Sequence, residues 1–194
     1  MDVRFINPFI QATQHVFNLL VKLPIRIGRP GFREIDKSPV KFRTICIAID
    51  IKGTSAGRVA LRFPEAIVVR LLTAFSGGTI TKLDGNAFDG LREITNIVVG
   101  NAKRRLPGGN NAMSTPTASK DGTAGFAAGE RILVLPIESQ IGTFWLEAQI
   151  KLNAVEYCTD NQSIESPVLN NADIDAMVNR LLAERDRDTT AYAA

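Results

Sequence analysis

Asp89, Glu93 and Asn96 stand four and then three residues apart in Asp89-Gly90-Leu91-Arg92-Glu93-Ile94-Thr95-Asn96, within a stretch of helical periodicity. On a helix these spacings, continued to Gly100 and Lys103, fall on one stripe. Phe88, Leu91, Ile94, Ile97, Val98 and Ala102 fall opposite and read as the buried side. An Asn amide is neutral and carries both a donor and an acceptor, so it can hold a water but cannot act as a strong base. A Glu and an Asn one turn apart on a solvent face, with glycine a turn further, form a probe offered to a partner. The competing reading is a merely solvated face, with Asp89 capping the helix and complementing its dipole. Gly90 and Gly100 weigh against it. Each costs about 1 kcal/mol relative to Ala inside a helix, and each is easier to explain if another backbone or a partner comes close. Gly100, one turn beyond Asn96 on the exposed stripe, is the better case.

The elements that must position this stripe follow from periodicity and punctuation. Residues 8–22 read as an amphipathic helix with Pro8 in its first turn, ended by Pro24. Pro30-Gly31 and Ser38-Pro39 mark an irregular connection. Residues 44–51 and 57–63 read as Ile- and Val-rich strands joined by a hairpin-like turn over 52–56. Pro64 opens a helix to Phe75, and Ser76-Gly77-Gly78 stops it. The motif helix is predicted over 87–106, with Asn86 as N-cap, and Pro107-Gly108-Gly109 ends it. Short stretches at 115–119, 131–137 and 142–152 read as further strands. Hairpins with helices between them predict an α+β (α/β layered) fold made of two similar halves of helix plus antiparallel strands. The domain is expected over 1–152, followed by a linker over 153–169 and a C-terminal tail over 170–194. The tail carries a short amphipathic helix with Ile174, Met177, Val178, Leu181 and Leu182 on one side.

Composition narrows the function classes. A content of 45% apolar and 22% charged residues suits an ordinary soluble globular domain. No apolar run approaches the roughly 20 residues of a membrane span, and the first residues lack the apolar core of a signal peptide, so a cytoplasmic location is expected. Cys46 and Cys158 give no disulfide framework, and Cys46 sits in an apolar run. His15 alone cannot supply a His-based metal cluster or a Ser/His/Asp triad. A net charge of +3 is too small to argue for nucleic acid. The basic clusters Arg26, Arg29, Arg33 and Lys103-Arg104-Arg105 lack interleaved aromatics but could steer an acidic protein. No Gly-Lys-Ser/Thr phosphate loop is present.

The spacing Asp89, Glu93, Asn96 resembles the D/S-x-x-x-E-x-x-N signature of the CheC/CheX/FliY family of chemotaxis phosphatases. The opening Met1-Asp2-Val3-Arg4-Phe5-Ile6-Asn7 and the later Thr115-Pro116-Thr117 are also similar to that family, and to its CheX branch in particular. The resemblance implies that the motif helix docks on a phosphorylated response regulator of the CheY type. It makes Asn96 the residue that orients a water for in-line attack on the aspartyl phosphate, and Glu93 the anchor that pairs with a lysine of the regulator. Asp89 would hold the helix start, with Gly100 in support. No cofactor is expected in this chain, since the regulator carries the Mg²⁺. A homodimer is implied as well, and neither nucleic acid nor membrane is an expected partner. CheC-type members carry a second motif on the first helix. Here the corresponding residues are Asn7, Gln11 and Gln14. Gln cannot form the ion pair and is longer than Asn, so one active site per chain is expected.

The tail segment Leu169-Asn170-Asn171-Ala172-Asp173-Ile174-Asp175-Ala176-Met177-Val178 resembles the peptide with which the flagellar switch proteins FliM and FliY bind phosphorylated CheY. Leu169, Asp173, Ile174, Asp175, Met177 and Val178 carry that likeness. It implies a tether that captures the regulator. Two readings stay open beside the phosphatase: a non-catalytic CheY-binding adaptor or flagellar-switch-associated structural protein, and a purely structural dimeric domain in which the stripe meets only solvent.

Overall fold

Ile45, Ile47, Ile49 and Ile51 alternate along one strand, and Val59, Leu61 and Phe63 alternate along the next, so that both strands turn one continuous apolar face the same way. That face becomes the main core. The structure, a computed structural model, describes residues 3–35, 43–108, 110–120 and 124–153. In chain order the elements are α1 (Val3–Leu19), β1 (Ile25–Ile27), β2 (Gly31–Glu34), β3 (Thr44–Gly53), β4 (Ser55–Pro64), α2 (Glu65–Ser76), α3 (Gly85–Lys103), β5 (Asn111–Met113), β6 (Thr117–Ser119), β7 (Arg131–Ser139) and β8 (Gly142–Leu152). The expected linker and tail residues, including Leu169, Asp173, Ile174, Asp175, Met177 and Val178, lie outside the described residues.

The eight strands form one antiparallel sheet in the order β1-β7-β8-β4-β3-β5, with β2 also on β7 and β6 also on β3. The two long hairpins, β3–β4 and β7–β8, meet at the centre through β4 and β8, where Ser55 faces Leu152 and Arg62 faces Trp145. Each half therefore repeats one plan: a long helix, two short strands and a hairpin. The short strands of each half pair with the outer hairpin strand of the other, β1 and β2 with β7, and β5 and β6 with β3. The expected α+β fold of two similar halves is what forms, with the halves interlocked.

The helices α1 and α3 pack over the Ile/Leu/Val face, where Phe17, Phe63 and Phe144 stack with ring centroids 4.7 and 5.2 Å apart. The opposite face of the sheet carries a smaller apolar cluster of Cys46, Ala48, Ala60 and Ile132, closed over by Ile35, Ala124 and Phe126. Beside it the carboxylate of Glu147, 1% exposed, accepts from Arg62 at 2.8 Å and from Arg33 at 3.0 Å. A buried carboxylate held by two guanidinium groups is a satisfied arrangement.

Several boundaries differ from the sequence expectation for local reasons. The first helix starts at Val3, so Pro8 lies inside it. Pro8, the sixth residue of the helix, cannot donate to the carbonyl of Arg4, so α1 runs on with that one bond missing. The helix ends at Leu19 rather than 22, and Lys22 then turns the chain with φ +54°. The strands β1 and β2 were hidden among Pro24, Pro30 and Gly31, and β5 between Gly109 and Pro116. Strands of three or four residues carry too little periodicity of their own, and their partners decide them.

Candidate functional site

The motif helix begins two residues earlier than its spacing suggests. Asp84, not Asn86, is the N-cap: its side chain accepts from the N–H of Ala87 at 3.2 Å. Asp89 thus lies beyond the first turn and does not cap. Its carboxylate accepts from Arg92 at 2.7 Å in an exposed i,i+3 pair. The buried side is Ala87, Leu91, Ile94, Thr95, Val98, Val99 and Ala102, while Phe88 and Ile97 are only partly covered. Thr95 is accommodated because its hydroxyl donates back to the carbonyl of Leu91 at 2.8 Å.

With that face committed to the core, Glu93 is exposed and Asn96 half-buried on the outer side. Neither side chain has a hydrogen-bond or ion-pair partner among the described residues. The helix therefore presents one free carboxylate and one free amide a turn apart. The two glycines separate cleanly. A Cβ on Gly90 would lie 2.7 Å from Leu72 Cδ2, so Gly90 serves the packing of α2 on α3. A Cβ on Gly100 would meet nothing within 4 Å, so no contact among the described residues accounts for this glycine. Lys103 closes the stripe in the last turn, where a cation suits the helix C-terminus.

The first helix shows what the same position looks like without the motif. Phe9, Thr13, Val16 and Phe17 are buried along α1 as Leu91, Thr95, Val98 and Val99 are along α3. In this alignment Asn7, Gln11 and Gln14 match Asp89, Glu93 and Asn96. Gln11 is not free: its Oε1 accepts from Arg105 Nη1 at 2.9 Å. Among the described residues no three His, Cys, Asp or Glu come together as a metal-binding group, and no helix is long and apolar enough to cross a membrane.

The family model described as chemotaxis phosphatase CheX matches residues 45–138, a span that holds the whole of α3. The domain is CheX-like. In solved structures, a chemotactic CheC-like protein from Shewanella oneidensis MR-1 is 26% identical, with a TM-score of 0.65, covering 78% of this chain and 100% of its own. The chemotaxis protein CheX from Vibrio vulnificus is 24% identical, with a TM-score of 0.63 over 76% of this chain and 99% of its own. The CheX of Borrelia burgdorferi, solved in complex with CheY, BeF3 and Mg²⁺, is 16% identical, with a TM-score of 0.61 over 76% of this chain and 97% of its own. No curated protein matches the sequence at a significant level. These relatives are matched over nearly their full length by about three quarters of this chain.

Proposed function

We propose that this chain dephosphorylates a phosphorylated response regulator of the CheY type and so ends a chemotaxis signal. The observation that carries the reading is the pair Glu93 and Asn96, both without partners among the described residues, on the outward side of a helix inside the CheX-matching segment. The Borrelia relative solved with CheY supports a regulator as the partner.

In this reading Asn96 reaches the aspartyl phosphate. Its amide holds a water in line with the bond between phosphorus and the aspartyl oxygen. The water oxygen bonds to phosphorus, that bond breaks, and the aspartyl carboxylate leaves with the electron pair. The water proton passes to the released phosphate or to solvent. An acyl phosphate has a good leaving group, so orientation suffices and no strong base is required. Glu93 pairs with a lysine of the regulator and fixes the register of the helix. The Mg²⁺ that neutralises the phosphoryl oxygens is carried by the regulator.

The test is the decay rate of a phosphorylated CheY-type regulator with wild type, with Asn96→Ala and with Glu93→Gln. Wild type should accelerate loss of phosphate. Asn96→Ala should lose on the order of 100-fold in kcat with binding retained, and Glu93→Gln should mainly raise KM. An Asn96→Ala variant as fast as wild type would remove Asn96 from the chemistry. Binding without acceleration by any form would make the chain an adaptor.

A further inference from the structure

The seam between α1 and the end of α3 forms an open cleft of about 460 Å³, lined by Gln11, Gln14, His15 and Asn18 on one side and Arg104 and Arg105 on the other. No carboxylate lines it. Arg105 is committed to Gln11, whereas Arg104 is exposed and has no partner among the described residues. The α1 positions that match Glu93 and Asn96 thus open into a cationic, amide-rich cleft. A helix that pairs with a regulator's lysine could not use this surface, but carboxylates could.

We propose that the occupant is the chain's own C-terminal segment, residues 154–194, seated through its acidic side chains. Residues 154–194 hold eight Asp and Glu against three Arg, a net charge of −5, whereas residues 1–153 hold twenty Lys and Arg against twelve Asp and Glu, a net of +8. The modest charge of the whole chain conceals this division. The segment also starts in the right place. The N–H of Asn153 donates to the Thr54 carbonyl at 2.8 Å. Ser55 Oγ in turn donates to the Pro107 carbonyl at 3.0 Å. Pro107 is two residues past Arg105, so the chain leaves the domain beside the cleft. The roughly 20 residues between Asn153 and Asp173 could span at most about 65 Å, so Asp173 and Asp175 lie within reach of the cleft. Tethering supplies an effective concentration near the mM range, so a weak charge-driven contact is enough.

The experiment compares amide NMR spectra of the full chain and of residues 1–153. The shorter form retains the whole described core, and relatives of that extent are complete solved chains. Shift differences are expected at Gln11, Gln14, His15, Asn18, Asn101, Arg104 and Arg105. They should be independent of protein concentration and fade as salt rises. They should also vanish in Arg104→Glu/Arg105→Glu and, independently, in a full chain carrying Asp173→Asn, Asp175→Asn, Glu184→Gln, Asp186→Asn and Asp188→Asn. The second variant leaves the domain untouched and so guards against misfolding of the first. Absent differences, differences confined to another surface, or differences that grow with concentration would each overturn the proposal, the last by making a second copy the occupant. None of these outcomes depends on the phosphatase reading.

Discussion

Thr13 and Thr95 make the same hydrogen bond on two different helices. Each is fully buried, and each hydroxyl donates to the carbonyl four residues back, Phe9 at 2.7 Å and Leu91 at 2.8 Å. This pair sets the alignment of α1 with α3 and makes Gln14 the counterpart of Asn96. Whatever acceleration is left in Asn96→Ala should therefore not depend on Gln14, because the α1 side offers Gln for both Glu and Asn and its Gln11 is held by Arg105. Residual turnover that disappears only when Gln14→Ala is added would reveal a second working site.

Gly100 and Gly90 should respond oppositely to alanine. Gly100→Ala should stabilise the domain by about 1 kcal/mol, the helix-propensity gain in open space, which raises Tm by a few degrees. If the proposed regulator approaches over Gly100, the added methyl should also slow dephosphorylation. Gly90→Ala should gain nothing in Tm, since the new Cβ meets Leu72 at 2.7 Å and overpacking offsets the propensity gain. Thermal melts beside phosphate-loss rates check both. A Gly100→Ala protein that is more stable and equally active would end the close-approach explanation.

The helix start depends on Asp84. Asp84→Ala should cost about 1 kcal/mol in urea unfolding through loss of the cap. Asp89→Ala should cost well under that, because its pair with Arg92 is exposed. Equal losses would contradict the assignment of the cap.

Glu147 anchors the face of the sheet opposite α1 and α3. Glu147→Ala leaves Arg62 buried beside a cavity and should cost roughly 3–5 kcal/mol, measurable as a lower denaturation midpoint. A near-neutral result would mean that water reaches this site and solvates the arginines.

Asp50 contributes to the acid limb of stability. Its carboxylate accepts from Arg58 at 2.6 Å, and that hydrogen bond holds its pKa below the ordinary value of 3.8 despite partial burial. A carboxyl whose folded pKa is depressed adds stability above its unfolded pKa and loses it as pH falls through the folded one. Asp50→Asn should therefore be less stable than wild type near neutrality, and the gap should close below about pH 4. A pH-independent gap would assign the effect to shape rather than charge.

Removal of residues 154–194 separates two uses of the acidic segment. If it captures the regulator, KM rises on truncation. If it occupies the α1–α3 cleft next to the proposed docking face of α3, KM falls, most clearly at low salt. The same kinetic assay reads both directions.

The sequence by itself determined the amphipathic helices, the long strands and the candidate stripe. Period 3.6 at Leu91, Ile94 and Val98 and period 2 at Ile45, Ile47 and Ile49 are local signals that need no partner to be read. It also showed that Gln11 and Gln14 depart from the motif. What it could not show was held in contacts distant along the chain. The short strands β1, β2 and β5 exist only because β7 and β3 offer them edges. The cap moved from Asn86 to Asp84 because capping depends on where the first helical turn closes, which neighbouring polar residues leave ambiguous. Gly90 and Gly100 look alike in sequence, and only the position of Leu72 tells a packing glycine from an open one. The tertiary structure alone brings Arg105 to Gln11 across 94 residues and Asn153 to Thr54, because pairing between distant segments has no signature in either segment alone.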